Sequence, residues 1–300
     1  MNDATLVIVN PGAGGGRALR AEPRVADFLS THGHPAEFLH CKNSKDAEDQ
    51  ARRAAQEGYR CVAALGGDGV FHHVVEGILG TSAVAGFFPA GNGNDIARSL
   101  GIPCDALKAA KSFLQFEPRT VDLIRARFAD GRTAHFIGAG GVGLDAEAAH
   151  QANTRFRKWP GLARYLAGAF WTFRREPAFA LEAQLDGVSW EGRAIIAVAA
   201  NGAMYGAGLR IAPDAQMDDG RMDILLAKEI GWGKLIASLI ILLRSGRVRF
   251  KEIERFRVRS AKFRADRALK VHGDGELLGE SPVEFEILPG AVRVMAPRRV

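Results

Sequence analysis

The chain has 300 residues, enough for one large domain or two ordinary ones, each with its own hydrophobic core. Hydrophobic residues make up 47% of it and charged residues 25%, a globular composition that argues against extensive disorder. The net charge is +6. The only cysteines, Cys41, Cys61 and Cys104, are too few and too scattered for a disulfide framework or a zinc site, and no signal-peptide pattern opens the chain. We therefore expect a reduced, cytoplasmic protein.

Short apolar runs alternate with helical stretches over the first 120 residues. Strands are predicted at Thr5–Val9, Ala36–His40, Cys61–Leu65 and Val84–Pro89, and helices at Arg17–His32, at Ser44–Glu57 with Ser44 as N-cap, and through Leu79. This alternation predicts a doubly wound α/β domain, a parallel sheet covered on both faces, over residues 1–122. In such sheets ligands bind beyond the carboxyl ends of the strands, where three glycine-rich loops fall.

The first loop, Asn10–Arg17, lets the backbone approach a polyanion, and the following helix offers unpaired N–H groups. It is not a Walker A loop, because no Gly-Lys-Ser/Thr follows, so phosphate binding and a plain turn both stay open. The second loop, Gly66–Gly69, adds Asp68, a carboxylate able to hold Mg²⁺ or to cap the next helix. The third, Gly91–Asp95, offers Asp95 for the same two roles.

From about Val121 the apolar segments become shorter and often alternate with polar residues, as in antiparallel sheets with one wet face. Such segments are Phe179–Leu185, Arg193–Ala199, Met222–Leu226, Arg255–Arg259 and Val283–Ile287, with helical stretches at Arg155–Phe173 and Lys234–Leu243. We predict a second, mostly β domain over residues 123–289, after which a strand within 290–300 is a candidate to return to the first domain. Asp274-Gly275-Glu276 places two carboxylates on a turn, which fits catalysis and a surface loop equally.

The segment Arg244–Lys270 carries eleven Lys and Arg residues against three acidic ones, a local charge of +8 that exceeds the surplus of the whole chain. Such a segment fits a solvated strand face, an anionic membrane surface or nucleic acid. No helix-turn-helix, zinc-finger or RNA-binding motif accompanies it, so we do not expect nucleic acid as a partner.

Six motifs share one order and spacing: Asn10-Pro11 with its glycines, Gly66–Gly69, Gly91–Asp95, Gly141-Val142-Gly143-Leu144-Asp145, Ile211-Ala212-Pro213 with Asp219-Gly220, and Asp274-Gly275-Glu276. Together they resemble bacterial diacylglycerol kinase-like lipid kinases, relatives of sphingosine and ceramide kinases and, more distantly, of NAD kinases. The resemblance covers nearly the whole chain. It implies an α/β nucleotide-binding domain and an antiparallel β-sandwich domain, with the active site in the cleft between them.

The resemblance also implies an ATP- and Mg²⁺-dependent phosphotransferase that acts on the hydroxyl of diacylglycerol or a related lipid. Glu276 is the implied proton acceptor, with Asp274 and Asp68 in the catalytic set. A structural Mg²⁺ is implied at the Asp219 side chain and at the backbone carbonyls of Gln216 and Arg221. The implied nucleotide-binding positions are Asn10, Gly14, Cys41, Gly66, Gly67, Asp68, Gly69, Val70, Gly91, Asn92, Asn94, Asp95 and Asp122.

Three positions depart from the family pattern. Val70 and Cys41 stand where a Thr is usual, and Asn92 stands where Thr or Ser is usual. A hydroxyl lost from a charged partner removes a hydrogen bond worth about 1.5–3 kcal/mol, although Asn92 can still donate. These departures leave open a catalytically retired nucleotide- or lipid-binding regulatory protein on the same fold. An NAD kinase is the other alternative.

A lipid kinase without a transmembrane helix must reach its substrate at a bilayer surface, and stable attachment there needs two signals. The apolar helix near residues 232–243 supplies one signal and Arg244–Lys270 the other. We therefore expect peripheral association with an anionic membrane surface. The alternative is that the helix packs into the domain core, as helices that are apolar on every side usually do. The sequence leaves open whether the chain forms a homodimer.

Overall fold

The computed structural model describes residues 2–143, 147, 151, 154–156, 159, 161–175, 178–206 and 208–298. The chain divides into two compact units, Met1–Val121 together with Gly290–Val300, and Asp122–Pro289. Asp122 therefore belongs to the second unit, whereas the sequence analysis placed it at the end of the first. Leu144 and Asp145 of the fourth motif lie outside the described residues.

The first unit is built on a parallel sheet. Its elements are β1 (Asn2–Val9), α1 (Arg17–Thr31), β2 (Ala36–His40), α2 (Ser44–Gln56), β3 (Tyr59–Gly66), α3 (Asp68–Ile78), β4 (Val84–Pro89), α4 (Asp95–Leu100) and α5 (Ala106–Phe113). The strand order is β2-β1-β3-β4-β15, where β15 (Val283–Ala296) pairs Arg293 and Val294 with Val84 and Ala85. All of these pairings are parallel.

Burial explains why this sheet needs helices on it. All six residues of β4 are buried, as are the last five of β3, so both faces of these strands are covered. Helices α2 and α3 pack so closely that a Cβ added at Gly77 of α3 would lie only 2.6 Å from the Cβ of Ala51 in α2. Helices α1 and α5 form a second contacting pair.

The second unit is an antiparallel β-sandwich. Its elements are β5 (Glu117–Phe128, from Asp122 onward), β6 (Thr133–Phe136), β7 (Ala139–Gly143), α6 (Gly161–Arg175), β8 (Phe179–Leu185), β9 (Val188–Ala200), β10 (Met222–Lys228), α7 (Trp232–Arg244), β11 (Ile253–Val258), β12 (Ser260–Ala265), β13 (Lys270–Gly273), β14 (Glu276–Glu280) and the first part of β15. Neighbouring strands run β14-β13-β7-β9-β8-β12-β15, and β10 pairs with β9 and β11. The fold class predicted from the sequence is confirmed for both halves of the chain.

Two apolar clusters fill the second unit. The larger contains five buried phenylalanines, Phe128, Phe136, Phe179, Phe263 and Phe285. The smaller includes Leu235 and Leu242 of α7. That helix has 13 residues, and no helix in the described part of the chain is long and apolar enough to span a membrane.

Candidate active site

Three glycine-rich loops follow the carboxyl ends of β1, β3 and β4: the first loop (residues 10–16), the second loop (66–69) and the third loop (91–95). Because these strands are parallel neighbours, their carboxyl ends lie along one edge of the sheet. Sheet-like bonding continues into the loops, since the Ala90 N–H donates to the Gly66 carbonyl at 2.6 Å. The loops therefore share the edge at which doubly wound sheets bind ligands.

The backbones of these loops approach so closely that side chains are excluded. A Cβ at Gly14 would lie 2.2 Å from the Ala90 carbonyl oxygen, which ties the first loop to the residue before the third. A Cβ at Gly91 would lie 2.5 Å from the Cα of Gly67, which ties the third loop to the second. Glycine is thus required here for packing as well as for turning. The result is a backbone cradle suited to a polyanion.

The first loop has the geometry of an anion-binding turn. Gly14, Gly15 and Gly16 have φ values of 60°, 69° and 82°, so three successive residues lie in the left-handed region. The Asn10 carboxamide oxygen accepts a hydrogen bond from the Gly12 N–H at 3.1 Å and braces the start of the loop. Backbone N–H groups in concave turns of this kind bind phosphates in many proteins.

Arg17, which the sequence analysis did not single out, bridges the first and third loops. Its Nη2 donates to the Gly91 carbonyl and to Asn92 Oδ1, both at 2.6 Å. The available signal was its position, directly after the glycine run and at the start of α1. Asn92, one of the departures from the family pattern, is thereby the partner of a cation.

Asp68 is the first residue of α3, but its carboxylate caps a different helix. Oδ2 accepts from the Asp95 N–H and Oδ1 from the Ile96 N–H, both at 3.0 Å. These are the first two residues of α4, so Asp68 fixes the second loop to the end of the third. The Asp95 side chain in turn pairs with Arg98 at 3.2 Å.

Asn94 closes the third loop on itself. It is buried, with φ 57°. Its Oδ1 accepts from the Gly91 N–H at 3.0 Å, and its Nδ2 donates to the Gly91 carbonyl at 3.1 Å. Both polar groups of the side chain thus hold the loop in shape, which is a supporting role for this implied nucleotide-binding position.

Cys41 and Val70 do not replace the hydroxyls usual at their positions. Both side chains are buried. Burial, with a further contribution from Asp46, raises the pKa of the Cys41 thiol, so it stays protonated and donates only weakly. Val70 packs against the second loop, since a Cβ at Gly66 would lie 2.4 Å from its Cγ1.

In the second unit, Asp274 and Gly275 form the turn of the β13–β14 hairpin, with φ values of 51° and 87°. The Asp274 carboxylate accepts from the Ile137 and Gly138 N–H groups, both at 2.8 Å, which fixes the turn to the segment before β7. Glu276 begins β14 and is exposed. Among the described residues, none donates a hydrogen bond to its carboxylate or forms an ion pair with it.

Asn201 and Asp122 also fix the segment before β7, which contains Ile137. The buried Asn201 donates through Nδ2 to the Asp122 carbonyl at 2.8 Å and to the Ile137 carbonyl at 2.9 Å. The Asp122 carboxylate accepts from the Gly220 N–H at 2.7 Å. Asp122 therefore links this segment to the loop that carries Asp219. The sequence analysis missed Asn201, since nothing in its local sequence marks it.

In the loop implied to hold a structural Mg²⁺, both carboxylate oxygens of Asp219 already have a partner. Asp219 Oδ1 accepts from the Arg221 N–H at 3.0 Å, and Oδ2 pairs with the Arg257 guanidinium. Gln216 is exposed. No group of three or more His, Cys, Asp or Glu side chains among the described residues is arranged to hold a metal. A cation at Asp219 would share this carboxylate with Arg257 or displace it.

Comparison with protein families agrees with this division of the chain. Residues 4–126 match the model of the diacylglycerol kinase catalytic domain. Residues 138–296 match the model of the YegS C-terminal NAD kinase beta sandwich-like domain. The two matched segments correspond to the parallel-sheet part and the sandwich part of the chain.

Individual relatives match over most of their length. A diacylglycerol kinase of Mycobacterium tuberculosis is 28% identical over 97% of this chain and 94% of its own. A probable YegS-like lipid kinase of Stenotrophomonas maltophilia is 30% identical over 84% of each chain. A crystal structure of a diacylglycerol kinase from Bacillus anthracis superposes with a TM-score of 0.77 at 22% identity, covering 98% of this chain and 97% of the other.

Proposed function

The chain belongs to the family of diacylglycerol kinase-like and YegS-like lipid kinases, which are phosphotransferases that act on an alcohol group. On that premise, we propose that it phosphorylates the hydroxyl of diacylglycerol or a related lipid, with ATP and Mg²⁺. The backbone cradle formed by the three loops of the first unit carries this proposal. Phosphoryl transfer needs positioning and neutralisation of charge more than covalent catalysis, and a glycine cradle supplies the first.

In the proposed reaction the first unit binds the nucleotide. Backbone N–H groups of the first loop bind phosphate oxygens, and Asp68 keeps the second and third loops in register through its bonds to α4. The Mg²⁺ that accompanies ATP enters with it as part of the substrate and neutralises the phosphates. No step depends on a metal at Asp219.

Glu276 is the proposed proton acceptor for the lipid hydroxyl. It is exposed at the start of β14, and the hydrogen bonds from the Ile137 and Gly138 N–H groups to the Asp274 carboxylate hold the turn that carries it. This makes Asp274 a residue that positions the base. The hydroxyl proton passes to the Glu276 carboxylate as the oxygen bonds to the γ-phosphorus, and the bond to the ADP oxygen breaks.

The lipid substrate also requires a membrane surface, and α7 supports peripheral binding to an anionic one. Leu235, Ser238 and Leu242 are buried in the unit. The opposite side exposes an apolar stripe of four residues, which we call the α7 stripe: Trp232, Ile236, Ile240 and Leu243. Each of the two alternatives left by the sequence, core packing and contact with a membrane surface, thus has a physical basis in one face of this helix.

Three exposed cations follow the stripe directly. Arg244, Arg249 and Lys251 have no carboxylate partner among the described residues. Other cations of the basic segment are committed elsewhere: Arg257 pairs with Asp219, Lys262 with Glu284 and Lys270 with Glu147. Part of the charge available to a membrane therefore follows the α7 stripe in the chain, where a second attachment signal is needed.

The test is a phosphotransfer assay with purified full-length chain, labelled ATP and Mg²⁺ against diacylglycerol, sphingoid bases, ceramide and NAD. We expect a phosphorylated lipid. Glu276→Gln should reduce turnover by about 10²–10⁴-fold, the usual worth of general base catalysis, and leave nucleotide affinity unchanged. Glu280→Gln, which alters an exposed carboxylate at the other end of β14, is the matched control and should retain activity.

Each outcome separates one alternative. Product from NAD alone would identify an NAD kinase. Nucleotide binding with no product from any acceptor would identify a retired enzyme on the same fold. Wild-type turnover in Glu276→Gln would remove this residue from the mechanism and leave the lipid kinase assignment in place.

A further inference from the structure

Arg17 is a cation at the nucleotide cradle for which the proposed reaction so far has no use. It is exposed, it follows the first loop, and its guanidinium reaches the third loop, 74 residues further along the chain. We propose that Arg17 binds the polyphosphate of the nucleotide between these two loops. The proposal rests on the nucleotide site proposed above and adds its phosphate-neutralising cation.

The guanidinium is held in place with most of its donors unused. A guanidinium has five N–H donors, and the two contacts of Arg17 both involve Nη2. The Nε–H and both Nη1–H groups donate to none of the residues that the structure describes. The Gly91 carbonyl and the Asn92 carboxamide fix the plane of the forked guanidinium, but neither is charged, so the positive charge is not neutralised. A planar fork with free donors is the group that binds phosphate oxygens in pairs.

The charge of Arg17 has no carboxylate partner among the described residues. The same holds for Arg20, whose Nη1 donates to the Gly15 carbonyl at 3.3 Å. No acidic residue lies in the first turn of α1 and no side chain caps it. Two side-chain cations next to the positive end of the helix dipole interact unfavourably with it, and an anion bound there offsets this repulsion. Local unfavourable charge of this kind is common where a ligand supplies the compensation.

Arg17 also accounts for two peculiarities of the sequence. The first loop has no following Lys of the Walker A type, so the cation that neutralises the phosphates must come from another residue. Asn92 replaces the usual hydroxyl residue in the third loop, and its Oδ1 is what Arg17 binds. The Nδ2 of Asn92 can then still donate a hydrogen bond to a phosphate oxygen, as a hydroxyl at this position would.

The test measures nucleotide affinity by calorimetry, with a non-hydrolysable ATP analogue and with AMP, at several salt concentrations. We expect Arg17→Gln to weaken binding of the ATP analogue about 10- to 100-fold, the worth of one hydrogen bond to a charged group. The loss for AMP should be smaller, because AMP carries fewer charges. The salt dependence of ATP affinity should become shallower in the variant.

Two further variants make the result interpretable. Arg17→Lys keeps the charge but loses the fork, so its affinity should fall between wild type and Arg17→Gln. Arg24→Gln removes an exposed cation on α1 about 10 Å further along the same helix face and should change nothing. Thermal melting of all variants shows whether the fold is intact.

Equal losses for the ATP analogue and AMP, with an unchanged salt dependence and a lower melting temperature, would assign Arg17 a purely structural bridging role and overturn the proposal. Unaltered affinity in Arg17→Gln would overturn it as well. Wild-type protein that binds no nucleotide would overturn the nucleotide site and Arg17 together. If Arg17→Gln loses more affinity for the ATP analogue than for AMP, but the wild-type protein phosphorylates no lipid, the proposal for Arg17 is supported and only the lipid kinase function is rejected.

Discussion

Asp68 connects two helices that lie 27 residues apart in the sequence. It begins α3, while its carboxylate accepts the first two N–H groups of α4. A carboxylate has about four acceptor sites, so these two bonds do not prevent contact with a Mg²⁺-nucleotide complex. The capping bonds and the proposed contact with the nucleotide would thus share this one side chain, and comparison with an ordinary helix cap separates the two roles.

We expect Asp68→Ala to lower the free energy of unfolding by about 1–2 kcal/mol, the cost of a lost cap, and to weaken nucleotide binding as well. Asp105 is the matched control, because it caps α5 by accepting from the Lys108 N–H at 2.9 Å. Asp105→Ala should lose similar stability and keep its nucleotide affinity. Denaturant unfolding and nucleotide titration measure the two quantities. Intact nucleotide affinity in Asp68→Ala would restrict Asp68 to capping.

At the scale of elements, the loop before β10 is stabilised by a guanidinium from β11. Arg257 and Asp223 are paired neighbours of the two strands, and the Arg257 side chain reaches back to Asp219. A guanidinium supplies the positive charge that a divalent cation would otherwise bring to this carboxylate. The loop therefore needs no metal to be neutral.

It follows that Mg²⁺ or EDTA, without nucleotide, should leave the melting temperature of the wild-type chain unchanged. Arg257→Gln should lower the melting temperature, and Mg²⁺ should then raise it, since a ligand that binds only the folded state stabilises it. Arg264→Gln, which alters an exposed cation on β12, should show neither effect. Stabilisation of the wild type by Mg²⁺ would place a structural metal in this chain after all.

The regular elements were predictable where burial follows a simple period. The bounds of β2, β4 and β8 agree with the sequence prediction, because each has a clear apolar or alternating pattern. The four-residue β13 and six-residue α4 are too short to show a period. The Asp-Gly pair between β13 and β14 was recognised as a turn, but not as the turn of a β-hairpin, for which it is a strong signal.

Caps and contacts at a distance were harder to predict. Asn43 caps α2 in place of the predicted Ser44: its Oδ1 accepts from the Asp46 N–H at 2.9 Å, and Asp46 accepts from the Lys42 N–H at 2.8 Å. The glycine loops were found from sequence because their composition marks them. The roles of Arg17 and Asn201 depend on partners more than 60 residues away, which no local pattern encodes.

Over the whole molecule, the net charge of +6 is less informative than its distribution. Four cations of the basic segment, Arg247, Arg257, Lys262 and Lys270, form ion pairs, while Arg244, Arg249 and Lys251 follow the α7 stripe in the chain and stay exposed. Exposed apolar residues occur singly on most proteins, but a continuous stripe on one helix face is unusual. Trp232 is itself braced by Phe170 and Phe173 of α6, with ring centroids 4.7 and 4.5 Å away.

We predict that the chain sediments with vesicles containing phosphatidylglycerol or cardiolipin, that high salt releases it, and that phosphatidylcholine vesicles bind it little. Ile236→Ser combined with Ile240→Ser should reduce binding at every salt concentration. Arg249→Gln combined with Lys251→Gln should reduce only the preference for anionic lipid. Val188→Ser, at an exposed apolar residue of β9, is the control. Equal binding to neutral and anionic vesicles would contradict the electrostatic part, and no binding would contradict both.

The return of β15 to the first unit fixes an order of events during synthesis. β4 pairs with Arg293 and Val294, which the ribosome adds only after the 168 residues of the second unit. At about 5–20 residues per second, these residues alone take roughly 8–34 s, so the β4 edge waits at least that long for its partner strand. During this interval the β4 edge is a template for foreign strands. The nascent chain should therefore engage chaperones between the emergence of β4 and the end of translation.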